Sequence, residues 1–192
     1  MKIIMIAVIS ANGKLTRSTR SVRSGQAREE SNIYLWTSKE DQKFFASMLR
    51  KHSLIIMGSN TYKAAKSELK LSKDKLRIVM TRDPKKYVMD QVPGQLEFSN
   101  ETPKELVNRL SHIYKILLLV GGSEIFSLFF EAKLIDEAFL TIEPIVFGRG
   151  KNVLAEGDFG STLKLLSIKK FNKKGTILLK YKVLPAGRQV IK

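Results

Sequence analysis

Short apolar runs and helical patterns alternate along most of this chain, and this alternation is the feature that most limits its fold. The runs are rich in Val, Ile and Leu, as expected for strands that are buried on both faces of a sheet. They cover residues 2–9, 53–57, 76–80, 116–120 and 137–146, with a shorter candidate at 95–98. Because parallel strands need crossover connections, usually helices, the pattern predicts a single α/β domain with a mostly parallel central sheet flanked by helices.

The C-terminal part of the sequence departs from this alternation. Residues 163–171 and 176–184 are two strand-like runs separated only by a short polar turn. This arrangement predicts an antiparallel hairpin at the edge of the sheet. Helices are predicted from Ser38 onwards, over 60–68, from Thr102 to about His112, and from Ser123 to Phe130. The domain is expected to span 1–184, with a frayed tail at 185–192.

Residues 17–31 interrupt the pattern between the first strand and the first helix. The segment is polar and contains four arginines and one glycine. This composition favours an exposed basic loop inserted into the domain. Whether such a loop would act as a lid or be inert stays open at this point.

Composition excludes several classes of protein. The 192 residues include no cysteine and only two histidines, so disulfides, thiolate chemistry and a histidine-built metal site are not expected. No apolar run approaches the roughly 20 residues that span a bilayer, and the start of the chain resembles a strand, so we expect a cytoplasmic protein. The net charge of +16 would attract anionic ligands. Because the lysines are dispersed, we do not expect a nucleic-acid partner.

Three predicted strands end in residues that suit a phosphate ligand. Gly58, Thr81 and Gly121 each follow a buried run, and predicted helices begin just after two of them. In open α/β sheets the ligand lies outside the carboxyl ends of the strands, where helix N-termini and a side chain such as Arg82 can bind phosphates. The GxGxxG fingerprint is absent, so an ordinary Rossmann domain is not indicated.

Six segments together resemble the dihydrofolate reductase superfamily, which includes the reductase domain of riboflavin biosynthesis. They are 36–41 (WTSKED), 55–62 (IIMGSNTY), 78–82 (IVMTR), 119–126 (LVGGSEIF), 134–142 (LIDEAFLTI) and 144–150 (PIVFGRG). The resemblance implies an NADPH-dependent oxidoreductase in which the double glycine bends beside the nicotinamide and pyrophosphate. The cofactor-binding residues that it implies are Ala7, Gly13, Gly58, Ser59, Asn60, Thr61, Thr81, Arg82, Gly121, Gly122, Ser123, Glu124 and Ile125.

The same resemblance assigns catalytic roles to Asp41, Thr141 and Trp36. Asp41 matches the buried carboxylate that holds the amino-pyrimidine edge of the substrate, Thr141 the threonine bonded to that acid, and Trp36 a residue at the mouth of the site. Phe45 is expected to join Asp41 and Thr141 in binding substrate. From the residues alone, Asp41 could equally be a helix-capping acid, Thr141 an ordinary strand residue and Trp36 a core residue.

The substrate is the least determined part of this interpretation. The first candidate is a pteridine, 7,8-dihydrofolate, and the second is a ribosylaminopyrimidine phosphate of riboflavin synthesis. Asn12 replaces an acidic residue typical of the riboflavin branch, which favours a folate substrate. Ser59 replaces a basic residue typical of folate reductases. The turn at 144–150 favours the riboflavin branch. A basic nucleic-acid-binding protein without catalysis is the alternative from another class. Both a monomer and a homodimer are compatible with the sequence.

Overall fold

A computed structural model describes residues 1–20, 27–30 and 32–184, and in it one eight-stranded sheet runs through the molecule. The strands of this sheet are β1 (Lys2–Ser10), β4 (Leu54–Gly58), β5 (Leu76–Met80), β6 (Leu96–Ser99), β7 (Ile116–Leu119), β8 (Glu137–Glu143), β9 (Thr162–Lys170) and β10 (Ile177–Leu184). Their order is β6-β5-β4-β7-β1-β8-β10-β9. The six strands from β6 to β8 are parallel, whereas β10 and β9 run antiparallel to their neighbours. The predicted fold class is therefore confirmed.

Within the described residues, four α-helices connect or flank these strands, and their starting points follow from local sequence. They are α1 (Lys39–Lys51), α2 (Ser59–Ala65), α3 (Pro103–Leu110) and α4 (Ser123–Glu131). The hydroxyl of Ser38 accepts the N–H of Asp41 at the start of α1, and Thr102 and Glu105 form a reciprocal capping box at the start of α3. Short 3₁₀ turns at Ile33–Leu35, Lys66–Glu68 and Pro84–Asp90 complete the helical segments.

The core has two layers, one on each face of the sheet. Alternate residues of β1 enter different layers, because side chains alternate along a strand. Ile3 and Met5 pack with buried residues of α3 and α4 on one face. Ile4 and Ile6 pack on the other face, where Met48 of α1 and Tyr62 of α2 lie.

The segment predicted as a basic loop has more regular structure than expected. Its described ends form two short antiparallel strands, β2 (Arg17–Arg20) and β3 (Ala27–Glu30), with Arg17 opposite Glu30. Residues 21–26 and 31 of this segment lie outside the described residues, as does the tail predicted at 185–192. At 17–20 and 27–30 the structure has strands where a loop was predicted, because strand formation depends on cross-strand pairing, which local polarity does not reveal.

Strand β8 is shorter than its apolar run suggests. It ends at Glu143, although the run continues to Val146. Pro144 has no N–H to donate to a neighbouring strand, which explains the end of the strand. Among the residues that the structure describes, no helix is long and apolar enough to cross a membrane.

Candidate active site

The carboxyl ends of the parallel strands form one edge of the sheet, and most of the predicted site residues lie there. Gly58 at the end of β4 donates its N–H to the carbonyl of Gly121, just beyond β7, at 2.7 Å. On the other side of β1, Ser10 is level with Glu143 of β8. Helix α1 begins beside this edge, because Ser38 donates its N–H to the Glu143 carboxylate.

Asp41 is buried at the start of α1, with 5% of its surface exposed. The pKa of its carboxyl group is raised to about 6: burial is the largest cause, Thr141 lowers the pKa, and the nearby Glu143 carboxylate raises it. An acid with this pKa can hold or release a proton near neutral pH. Phe45 is one helical turn further along α1, so it lies on the same side of the helix as Asp41.

Thr141 lies on β8 and is 1% exposed. Its hydroxyl is near enough to Asp41 to lower the pKa of that acid. Within the described residues, however, Oγ1 of Thr141 has no hydrogen-bond partner. The hydroxyl thus lies close to the carboxylate without the geometry of a hydrogen bond, and it can turn towards the acid or towards a ligand.

Trp36 presents a second buried polar atom without a partner. Its ring lies edge-on to that of Phe147, with centroids 5.2 Å apart. Its Nε1 is buried and makes no hydrogen bond to any described residue. Buried polar groups are nearly always paired, so this N–H indicates a place where a water or ligand acceptor belongs.

The loop that carries Phe147 is fixed by Asn12. The amide of Asn12 donates to the carbonyl of Phe147 at 2.8 Å and accepts the N–H of Phe147 at 3.1 Å. Asn12 also accepts the hydroxyl of Ser10 at 2.8 Å. An aspartate here could not donate to the carbonyl, so the departure noted at position 12 gives this residue a positioning role.

Glu143 is a site residue that the sequence analysis missed. It is 4% exposed, and its two oxygens accept hydrogen bonds from the N–H of Ser38 and the hydroxyl of Thr176, each at 2.7 Å. Thr176 is in turn bonded to Asn172. A sequence signal was present, since Glu143 follows Thr141 by two positions and must share its face of the strand.

The double glycine forms an uncapped start of α4. Gly121 has φ +124°, a conformation that favours glycine, and the Gly121–Gly122 peptide is cis. Gly122 is the N-cap and provides no side-chain hydrogen bond, whereas α1 and α3 are capped by the side chains of Ser38 and Thr102. A Cβ on Gly122 would meet only Oγ1 of Thr61, at 3.4 Å. The first turn of α4 therefore has free N–H groups beside open space.

Gly58 has a different reason to be glycine. A Cβ at this position would lie 2.8 Å from Cγ1 of Ile125, so the end of β4 and helix α4 are in close contact. Ile125 and Ala7 both belong to the buried cluster on the α4 face. Gly58, Ile125 and Ala7, all predicted to bind the cofactor, thus belong to the packed core beneath the site.

The other predicted cofactor residues lie along the same edge. Gly13, with φ +78°, is in the turn after β1. Ser59, Asn60 and Thr61 form the first turn of α2, and Glu124 is exposed in the first turn of α4, next to buried Ser123. Thr81 follows β5 and accepts the N–H of Asp83, while Arg82 is exposed. The described residues contain no group of acids and histidines that could hold a metal ion.

A basic cavity lies beside Phe147. It has a volume of about 210 Å³, and Arg17 and Arg149 are among its lining residues. The carbonyl of Arg149 accepts the N–H of Ser18 at 3.0 Å, which joins the start of the inserted hairpin to the loop after β8. Two arginines that line one cavity suit a phosphate or carboxylate.

Comparison with known proteins decides the family. The protein-family model of the RibD C-terminal domain matches residues 1–177 of this chain. This chain is a member of that family. The resemblance predicted from the sequence motifs is therefore confirmed, and the predicted enzyme class, an NADPH-dependent oxidoreductase, is that of the RibD C-terminal family.

Individual relatives are distant. YyaP of Bacillus subtilis, an uncharacterized protein, is 28% identical over 107 residues, which cover 53% of this chain and 56% of YyaP. The alignment thus spans about half of that curated relative. A putative riboflavin biosynthesis protein from Shewanella sp. PV-4 has a TM-score of 0.72 at 17% identity, over 96% of this chain and 99% of its own. Dihydrofolate reductase from Enterococcus faecalis, solved with NADP(H), has a TM-score of 0.65 at 17% identity, over 95% of this chain and 96% of its own.

Proposed function

We propose that this chain is an NADPH-dependent reductase of a pteridine, with 7,8-dihydrofolate as the first candidate substrate. The observation that carries this proposal is the buried Asp41 carboxyl group at the carboxyl edge of the sheet, with its raised pKa. Salt bridges found among the described residues do not include Asp41. Burying an ionised acid without a cation costs free energy, and a ligand with paired N–H donors would offset that cost.

The chain offers a suitable place for NADPH. Free N–H groups in the first turn of α4, and the space beside Gly122, fit the pyrophosphate of a dinucleotide. Arg82, exposed after β5, is the proposed partner of the 2′-phosphate. When bound, NADPH supplies the hydride that the reaction needs.

The side chains around Asp41 orient the substrate and control the proton. Asp41 would accept N–H bonds from the amino-pyrimidine edge and raise the proton affinity of the ring nitrogen that must be protonated. Burial keeps water from screening this carboxylate. The unpaired Oγ1 of Thr141 and Nε1 of Trp36 would bond to the substrate or to an ordered water beside it.

A second candidate substrate is a ribosylaminopyrimidine phosphate, and the cavity between Arg17 and Arg149 favours it. Phe147 lines the cavity and its ring contacts that of Trp36, so we propose that a ligand held by Asp41 would extend past the indole towards Arg17 and Arg149. A phosphate at the end of such a ligand would be bound there. A protein of similar fold from Thermotoga maritima is a diaminohydroxyphosphoribosylaminopyrimidine deaminase/5-amino-6-(5-phosphoribosylamino)uracil reductase, of which this chain covers 56% at 15% identity.

One experiment compares the two substrates on the same enzyme. NADPH oxidation is followed with 7,8-dihydrofolate and with 5-amino-6-(5-phosphoribosylamino)uracil, using wild type, Asp41→Asn and Arg149→Ala. The pteridine proposal expects turnover of dihydrofolate that is strongly reduced at neutral pH in Asp41→Asn and little changed in Arg149→Ala. Turnover of only the phosphorylated pyrimidine, with KM raised in Arg149→Ala, would establish the second candidate. No NADPH oxidation with either substrate would refute both.

A further inference from the structure

Two buried carboxyl groups, those of Asp41 and Glu143, lie close enough to affect each other. Asp41 is 5% exposed and Glu143 4%, and neither takes part in a salt bridge among the described residues. The pKa of Asp41 is raised by burial, lowered by Thr141 and raised by the charge of Glu143. Two neighbouring buried acids do not ionise independently, so their surroundings decide which of them takes up a proton.

The hydrogen bonds around Glu143 take their direction from Asn172, which lies in the turn between β9 and β10. Oδ1 of Asn172 accepts the backbone N–H groups of Gly175 and Thr176, at 3.1 and 3.2 Å. A backbone N–H can only donate, so the oxygen and nitrogen of this amide cannot be exchanged. Nδ2 of Asn172 therefore faces Oγ1 of Thr176, 3.0 Å away, as a donor.

Thr176 passes this direction on to Glu143. The residue is 1% exposed, so its hydroxyl group bonds within the protein. A hydroxyl group has a single proton, and Oγ1 of Thr176 already accepts the amide of Asn172. Its own proton therefore points at Oε2 of Glu143, 2.7 Å away.

Both oxygens of Glu143 consequently meet donors. Oε1 accepts the N–H of Ser38 and Oε2 accepts the hydroxyl of Thr176, each at 2.7 Å. A proton on Oε2 would point at Thr176 and leave the hydroxyl proton of Thr176 without an acceptor in the described part of the chain. An unpaired buried donor costs free energy, so this network favours the ionised form of Glu143.

Asp41 lacks a comparable set of donors. Burial raises its pKa more than the hydroxyl of Thr141 lowers it. That hydroxyl has no hydrogen-bond partner within the described residues. The ionised form of Asp41 is thus supported less well than that of Glu143.

The other charged groups around the turn lie at the surface. The second hydrogen of Nδ2 of Asn172 is directed at Oε2 of Glu40, at 3.2 Å. This bond is the largest cause that lowers the pKa of Glu40, and Lys43 and Lys174 lower it as well. Glu40 and both lysines are exposed, so water and salt screen their charges. The balance within the buried pair of acids is therefore set mainly by its own hydrogen bonds.

We propose that Asn172 and Thr176 are positioning residues of the reaction, which keep Glu143 ionised so that Asp41 is the acid that takes up and releases a proton. Neither side chain needs to touch substrate or cofactor for this role. Only the effect on turnover rests on the proposed function, whereas the order in which the two acids are protonated does not.

Carboxyl ¹³C NMR titration of the free protein tests this assignment without a substrate. In wild type, Asp41 should take up a proton near pH 6 while Glu143 remains ionised. Thr176→Val keeps the shape of the side chain but removes the donor, so part of the proton should move to Glu143 and the pKa of Asp41 should fall. Losing a hydrogen bond to a charged group changes proton affinity by about one pH unit. Thr176→Ser keeps the hydroxyl and should titrate as wild type does.

Ser99→Ala is the matched control for the loss of a buried hydroxyl group. Ser99 is 6% exposed and donates to Oε2 of Glu101 at 2.7 Å, but it lies on β6, at the other edge of the sheet. This change should leave the titration of Asp41 as it is. Protonation of Glu143 before Asp41 in wild type, or an unchanged titration in a folded Thr176→Val, would overturn the proposal. The wild-type order decides the matter even if Thr176→Val does not fold.

The pH profile of NADPH oxidation then distinguishes this role from a purely structural one. With whichever candidate substrate is reduced, the pH at which the rate changes should fall in Thr176→Val together with the titration of Asp41, and it should be restored in Thr176→Ser. A loss of rate that is equal at every pH would assign Thr176 to the fold alone and refute the positioning role. If neither substrate is reduced while the titrations behave as expected, the proposed function fails and the assignment of the proton stands.

Discussion

The N–H of Ser38 donates to Oε1 of Glu143 at 2.7 Å, and this bond joins the start of α1 to the end of β8. The same Ser38 caps α1 through the N–H of Asp41. Glu143 therefore fixes the helix turn that holds Asp41, and its negative charge raises the pKa of that acid. One buried carboxylate thus affects both the position and the protonation of another.

Replacing Glu143 by Gln should lower the pKa of Asp41 from its value of about 6, because it removes the nearby negative charge. The largest cause of the raised pKa, burial, stays in place, so the fall should be partial. Carboxyl ¹³C NMR titration of Asp41 measures this directly. Glu40→Gln is the matched control, since Glu40 adjoins Asp41 in sequence but is exposed. An unchanged Asp41 pKa in Glu143→Gln would contradict the electrostatic role.

Asp41→Asn should stabilise the fold at neutral pH. The folded-state pKa of Asp41 is about 6, above the ordinary 3.8, so the ionised acid is disfavoured on folding by about 3 kcal/mol. Its contribution to stability is fully present below about pH 3.8 and is lost as pH rises through about 6. Urea unfolding at pH 4 and pH 8 should therefore show a gain for Asp41→Asn that is large only at pH 8.

The same unfolding experiment has a built-in control. The Glu40 carboxyl group is bonded to Asn172, which lowers its pKa, so Glu40→Gln should not stabilise the protein at pH 8. Equal gains for Asp41→Asn at both pH values would show that the burial of the charge is not the cause.

Local sequence patterns predicted the parallel sheet and the capped helices because their signals are short-range. The apolar runs at 53–57 and 76–80 became β4 and β5, and Ser38 and Thr102 cap helices as expected. For Glu143 the sequence indicated only a strand face shared with Thr141, since its partners Ser38 and Thr176 are brought to it by the folded sheet. Residues 17–20 and 27–30 were not predicted as strands because their polar composition gives no sign that they pair with each other.

Gly122→Ala should weaken NADPH binding at least tenfold without unfolding the protein. The added Cβ would meet only Thr61 in the protein, at 3.4 Å, but it would occupy the space proposed for the dinucleotide. Fluorescence titration with NADPH measures the affinity. Gly160→Ala is the control, since a Cβ there meets nothing within 4 Å. Unchanged affinity in a folded Gly122→Ala would remove this glycine from the cofactor site.

Gly58→Ala, unlike Gly122→Ala, should lower the stability of the protein. Its Cβ would lie 2.8 Å from Cγ1 of Ile125, and overpacking of this kind costs about 1–3 kcal/mol. Urea unfolding of both variants distinguishes a packing role from a role in the ligand space, because only Gly58→Ala should lower the free energy of unfolding. A stability equal to wild type would show that Ile125 moves aside freely.

Arg82→Ala should weaken NADPH much more than NADH, because only NADPH carries the 2′-phosphate that a guanidinium can bind with two hydrogen bonds. The residue is exposed beyond β5 and free to reach a ligand at this edge. Lys85→Ala removes an exposed charge three residues away and should affect both cofactors little. Equal losses for the two cofactors in Arg82→Ala would assign Arg82 to the shared pyrophosphate or to structure.

Asp41→Asn should bind NADPH normally and lose turnover by roughly 100-fold or more at neutral pH, the scale of losing a general acid–base group. Asparagine keeps the shape of the side chain but has no charge to raise the proton affinity of the substrate. The loss should shrink at low pH, where solvent protonates the substrate and the wild-type acid, with its pKa of about 6, is itself neutral. Stopped-flow absorbance of NADPH oxidation from low to neutral pH, with whichever of the two candidate substrates the enzyme reduces, measures the difference. If Asp41→Asn is slowed equally at every pH, or not at all, Asp41 serves the helix start and the proton comes from elsewhere.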